Sequence, residues 1–241
     1  MTSSLIWHTG IGSTILPEEA IGIGTLLFGQ EPSTKDPSAW TDGKMLLITV
    51  PHARREASNN HDEGAMQMIP HLRKSLEDYG VPHTFHVGTD FRGILDLNRG
   101  ESRHTEYAKE FTRLLGLNDL HIDLHSFEYL DEDVPDEQAI TEAGDDVREW
   151  SMSDVVFLTI DGVTDENFLS YMYEELEQQV IVDDIQTQPY NYLTTFAQVI
   201  MDVPSVLIEL NEGSAPSYPA VAEVVARAVA EYLGLADSAS A

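Results

Sequence analysis

The chain has 241 residues, with 42 acidic side chains against 13 basic ones and no cysteine. A formal net charge of −29 sets the whole surface against nucleic acid and anionic membrane as partners. Without cysteine there can be neither disulfides nor thiolate zinc sites, so any metal must be held by His and carboxylate groups.

So large an acid excess fits strong salt, where screening contracts to about 3 Å near 1 M. The expected setting is the cytoplasm of a high-salt organism, or else the virion of one of its viruses; an acidic protein of an ordinary cell is the bland alternative. The opening MTSSLIWHTGIG has neither a basic region nor a continuous apolar core. No stretch reaches the ~20 apolar residues of a membrane span, and a soluble chain is expected.

Residues 1–43 are punctuated by Gly, Ser, Thr and Pro. They read as an extension, irregular or short-stranded, suited to packing, homo-oligomer contacts or virion neighbours. Residues 44–241 then read as one domain. Met45 to Val50 is a continuous apolar run stopped by Pro51, the pattern of a strand buried on both faces. Residues 62–79 form an amphipathic helix closed by Gly80.

A strand is expected over 82–87, a short extended piece over 94–97, a helix over 105–115 and a strand over 120–124. The acidic stretch 131–150 reads as a solvated loop. After it come a strand over 155–160, helices over 166–179 and 193–201, a strand over 206–210 and a closing helix over 220–233. Alternating strands and helices predict an α/β fold, a mixed, largely parallel sheet covered by helices on both faces. In such sheets a ligand crevice opens at the carboxyl ends of the strands.

Four islands fall at or beside strand ends: VPHARRE at 50–56, DLNR at 96–99, HIDLHS at 121–126 and VLIELNE at 206–212. In HIDLHS the period of two sends Ile122 and Leu124 to one face and His121, Asp123 and His125 to the other. Eight of the nine histidines lie between 52 and 125, and seven of the nine arginines between 54 and 113. In so acidic a chain this clustering implies a locally cationic, metal-competent cleft. Glu209, set in an apolar strand, needs an ion pair, hydrogen bonds or a cation to offset several kcal/mol of desolvation.

In their order and context the four islands resemble the N-formylglutamate amidohydrolase family, within the wider zinc carboxypeptidase and aspartoacylase-like fold. The likeness covers about residues 45 to 235 and rests on His52 with Glu56, Asn98-Arg99, Asp123-Leu124-His125-Ser126 and Ile208-Glu209-Leu210. It implies a phosphorylase/hydrolase-like sheet and a Zn2+ ion held by His52, His125 and a carboxylate. It also implies Glu209 as the catalytic carboxylate, with Asn98 and Arg99 on a substrate carboxylate. The first island departs from the family spacing. The position expected for the carboxylate is Arg55; a loop one residue longer aims Glu56 at the metal as the third ligand, with Asp62 or His61 as the alternative.

Two imidazoles and a carboxylate leave a fourth zinc position open, and water there has a pKa near ~7. Glu209 would act as general base on that water, and Arg92 or Arg54 would help stabilise the oxyanion. Arg99 offers a bidentate fork for a carboxylate. Tyr190 or Tyr192, in QPYNY, would close over the substrate. The expected activity is hydrolysis of an amide in a small molecule or peptide carrying a free carboxylate, such as an N-acyl amino acid or a cell-wall peptide. A structural or binding component that keeps the hydrolase fold, for example in a virus particle, is the competing reading.

Overall fold

The computed structural model describes residues 4–9, 13–14, 45–54, 61–90, 96–98, 102, 104–127, 153–159, 166–177, 180, 182–186 and 193–235. Its strands are β1 (Ser4–Thr9), β2 (Ser13–Thr14), β3 (Leu46–Val50), β4 (His83–Gly88), β5 (Leu120–Phe127), β6 (Val155–Thr159), β7 (Val182–Gln186) and β8 (Ser205–Asn211). The helices are α1 (Glu63–Asp78), α2 (Glu106–Leu115), α3 (Glu166–Leu176), α4 (Leu193–Thr195) and α5 (Tyr218–Tyr232). A π-helical turn, Phe196–Ile200, continues α4, and a 3-10 segment, Glu212–Ser217, leads into α5.

The eight strands among the described residues join one sheet in the order β2-β1-β4-β3-β5-β8-β6-β7. From β1 to β8 the neighbours are parallel; β6 runs antiparallel to β8, β7 is parallel to β6, and β2 is antiparallel to β1. This is the expected mixed, largely parallel sheet. The Ser4–Thr9 strand of the N-terminal region adds to it beside β4.

Alternation along the strands sorts the core into two layers. Leu46, Ile48 and Val50 of β3, Ile122 and Leu124 of β5, and Val206, Ile208 and Leu210 of β8 pack with α1, α3 and α5. The opposite face meets α2 and α4 through Leu47, Tyr107, Phe111, Leu114 and Leu193. Helices therefore cover both faces. Among the described residues no helix is long and apolar enough to cross a membrane.

The helix α1 turns Ile69, Leu72 and Leu76 inward, as the sequence spacing predicts, but it is Met68 and not the expected Met66 that is buried with them; Met66 is half-buried. It ends where Gly80 takes φ of 72°. There the Gly80 N–H donates to the Glu77 carbonyl at 3.1 Å and the Val81 N–H to the Leu76 carbonyl at 2.8 Å, closing the last turn. The start of α1 matters more for function. Asp62, its N-cap, is drawn back to the end of β3 by a hydrogen bond from its N–H to the His52 carbonyl, 3.0 Å.

Three expectations differ from the structure. β7 was not expected. Residues 193–201, expected as one α-helix, form a single α-turn followed by the π-turn. β5 runs three residues further than the expected 124, to Phe127, carrying His125 and Ser126 within the strand. The acidic stretch 131–150 and residues 94–95 lie outside the described residues.

Candidate metal centre

Three side chains from separate elements meet above the ends of β3 and β5. His52 follows β3, Asp62 caps α1 and His125 lies near the end of β5; each offers a ligand atom within 4.8 Å of the others. All three are buried, at 3%, 1% and 4% exposure. Asp62 Oδ2 lies 2.8 Å from His125 Nδ1 and 3.4 Å from His52 Nδ1. The two rings meet edge to face with centroids 4.9 Å apart.

The far nitrogens are also accounted for. His52 Nε2 lies 2.7 Å from Asp96 Oδ1, and His125 Nε2 lies 3.2 Å from Asp123 Oδ2. At His52 the Asp96 carboxylate on Nε2 fixes the proton there and leaves Nδ1 as the free donor, the arrangement that metal-binding imidazoles adopt. His52 Nδ1 is buried and makes no hydrogen bond. An orphaned imidazole nitrogen facing a buried carboxylate is costly unless something electrophilic lies between them.

Electrostatics point the same way. Burial alone would raise the Asp62 carboxyl, but His52 and His125 outweigh it and hold the group well below the usual range. Burial alone would lower His125, but Asp123 and Asp62 outweigh it and raise the imidazole well above its ordinary value. His125 Nδ1, 2.8 Å from the Asp62 carboxylate, thus lies where a cation could take the place of a proton. One carboxylate and two imidazoles, with no thiolate, form a donor set suited to zinc and other borderline divalent ions.

Of the residues singled out from sequence, His52 and His125 meet here. Beside them stands Asp62, the alternative to the expected Glu56. His61 turns its Nε2 to Glu63 Oε2 at 2.9 Å, and Glu56 lies outside the described residues. Arg92, Arg99 and Tyr190 also lie outside them. Arg54 is exposed and donates from Nη1 to the Thr89 carbonyl at 2.9 Å.

Asn98, expected on a substrate carboxylate, has both ends of its amide engaged inside the protein. Its Oδ1 accepts from the Leu193 N–H at 2.9 Å, and its Nδ2 reaches His125 Nε2 at 2.9 Å. The amide can donate only to an unprotonated Nε2, so Asn98 and Asp123 are alternative partners of that one atom.

Glu209 pairs in register with His125 on β5 and shares its face of the sheet, opposite Ile208 and Leu210. Its side chain is half-buried between fully buried strand neighbours. A parallel register pair sits about 4.8 Å apart along the hydrogen-bonding direction, so Glu209 borders the group. Sequence reasoning assigned no role to Asp96 or Asp123. Their signal was positional: Asp123 alternates with His125, and Asp96 lies two residues before Asn98.

No family model matches the chain, and no curated protein matches it by sequence. Solved structures do match its fold. The catalytic domain of an N-acetylmuramoyl-L-alanine amidase from Bacillus (Paenibacillus) polymyxa var. colistinus aligns with TM-score 0.51 at 12% identity, over 80% of this chain and 99% of that one. N-formylglutamate amidohydrolase from Ralstonia eutropha aligns with TM-score 0.50 at 14% identity, over 81% and 97%. A metallo-carboxypeptidase from Burkholderia cenocepacia aligns with TM-score 0.51 at 12% identity, over 86% of this chain and 60% of its own. At such identities the likeness establishes the carboxypeptidase-like fold, as expected from the islands.

Proposed function

We propose that the protein is a zinc-dependent amidohydrolase acting on an amide whose substrate carries a free carboxylate. The observation that carries this reading is the convergence of His52 Nδ1, Asp62 Oδ2 and His125 Nδ1, with each far imidazole nitrogen beside a carboxylate. The amide-cleaving names among the structures of like fold support the reaction class. His52, Asp62 and His125 would hold the ion, which would supply Lewis acidity and a more acidic water at its open position.

Glu209, on the same face as His125, takes the proton of the attacking water and returns it to the leaving nitrogen. Arg99, next to Asn98 in sequence, holds the substrate carboxylate and so places the scissile amide. Arg92 or Arg54 adds positive charge where the carbonyl oxygen becomes negative.

The test is metal content followed by turnover. Protein purified in high salt should carry about one zinc per chain, as a three-ligand site with an open position requires. His125→Ala should lose it. Glu209→Gln should keep the zinc and lose N-acyl amino acid hydrolysis by about 100-fold or more, the scale of general-base catalysis. A native protein free of divalent metal would end this reading, and an unchanged rate in Glu209→Gln would remove that residue from the mechanism.

A further inference from the structure

Beneath the metal centre a line of polar side chains crosses three strands on the face toward α2 and α4. Thr49 of β3, His121 and Asp123 of β5, and Ser205 of β8 are at most 2% exposed. Register explains their meeting, since Thr49 is opposite Asp123 and His121 is opposite Ser205. Polar side chains this deep are retained only when hydrogen-bonded. Ser205 Oγ lies 2.7 Å from His121 Nδ1, His121 Nε2 lies 2.9 Å from Thr49 Oγ1, and Thr49 Oγ1 lies 2.5 Å from Asp123 Oδ1.

The direction of every bond follows from chemistry. An ionised carboxylate only accepts, so the single Thr49 proton goes to Asp123. Thr49 Oγ1 must then accept from His121, which places that ring's proton on Nε2. A neutral ring so protonated has a lone pair on Nδ1, and the Ser205 hydroxyl donates to it. Burial depresses His121 to a pKa of about 4, which keeps the ring neutral. All three donors therefore point toward Asp123, and its other oxygen, Oδ2, is buried without a hydrogen bond 3.2 Å from His125 Nε2, ready to accept from that nitrogen when it carries a proton and does not accept from Asn98.

We propose that Thr49, His121 and Ser205 are positioning residues of the metal centre, a one-way hydrogen-bond chain that holds Asp123 as an oriented acceptor for His125 Nε2–H and so aims His125 Nδ1 at the ion. The positioning role rests on the metal reading above; the direction of the chain does not. Aligned donors polarise one another, so Asp123 receives a stronger bond than an isolated threonine would give. Thr49→Val keeps the shape and removes both the donor to Asp123 and the acceptor for His121. It leaves His52, Asp62, His125 and Glu209 untouched.

The experiment has a metal-dependent arm and a metal-free arm. Zinc affinity, measured by competition with a chromophoric chelator, should fall about 10- to 100-fold in Thr49→Val, as when a partner of a ligating histidine is lost. Thr49→Ser, which keeps the hydroxyl, should restore the parent affinity, and Ser205→Ala should weaken zinc in the same direction as Thr49→Val. Nitrogen-15 correlation spectra of the metal-free parent near pH 7 should show His121 as the neutral Nε2–H tautomer.

Should Thr49→Val not fold, Ser205→Ala and the tautomer decide. An unchanged affinity in the variants beside a zinc-binding parent overturns the positioning role. A His121 carrying its proton on Nδ1 overturns the direction of the chain. A parent that binds no zinc overturns the metal reading and the positioning role with it, while the tautomer still reports on the chain.

Discussion

Asp62 stands ten residues after His52, yet it joins the cluster because the start of α1 is hydrogen-bonded to the residue just past the end of β3. The Asp62 N–H holds the His52 carbonyl, which fixes the carboxylate between two imidazoles whose far nitrogens lie beside Asp96 and Asp123. Asp62→Asn keeps the size and removes the charge. Zinc affinity should drop by more than the 10–100-fold that loss of an outer partner costs, because a ligand itself is altered. Glu56→Gln should bind zinc as the parent does. Titration of both variants with zinc checks the assignment, and the opposite ranking would make Glu56 the ligand. Burial of Asp62 at 1% exposure argues for the first outcome, since such a carboxylate depends on the positive charge around it.

Elements decide whether that geometry is held, and α1 is the critical one. Its first turn is clamped at Gly64, whose N–H donates to Glu212 Oε1 at 3.1 Å while Ser126 Oγ donates to the same oxygen at 2.7 Å. A Cβ on Gly64 would lie 2.4 Å from Tyr218 Oη and 2.9 Å from Ser126 Cβ. Gly64→Ala should therefore destabilise the fold by about 1–3 kcal/mol through overpacking, despite a helix preference near 1 kcal/mol in its favour. It should also weaken zinc binding, because α1 carries Asp62. Denaturant midpoints and zinc titration together separate the two effects.

The same element shows what could be read from sequence. The apolar spacing of α1 and its Gly80 stop are local signals, as are the buried run of β3 and the alternation in HIDLHS. β7 carried no such signal: VDDIQ has two adjacent aspartates and no apolar run, and among the described strands it is the last of the sheet, beside β6. His52 and His125 were legible from their strand-end positions. The choice of Asp62 among the third-ligand candidates, and the inward commitment of Asn98, depend on contacts between distant segments that spacing does not encode.

For the whole molecule, charge and proton binding set the conditions of stability. A net charge of −29 makes the folded chain repel itself, and salt screens that repulsion, so the urea midpoint should rise between 0.1 M and 2 M potassium chloride. A midpoint indifferent to salt would show that the charges are already compensated. Acid acts through particular histidines. His83 is buried, its Nδ1–H donates to the Val81 carbonyl at 2.8 Å, and its Nε2 has no hydrogen-bond partner. Burial, with a smaller push from Arg73 and against the Val81 bond, lowers its pKa to about 4. The unfolded value is near ~6.5, so the unfolded chain binds the proton more readily. The stabilisation from a neutral His83 is therefore complete above pH ~6.5 and is lost as pH falls toward ~4, by on the order of 3 kcal/mol. Carboxylates also take up protons in that range, which relieves repulsion, so the histidine must be isolated by difference. His83→Phe should be less stable than the parent at pH 7 by about 1 kcal/mol, from the lost Val81 bond. It should nevertheless lose less stability between pH 7 and pH 4.5. Urea unfolding of both proteins at the two pH values, in the same salt, gives that difference; equal losses would assign the acid sensitivity to other groups.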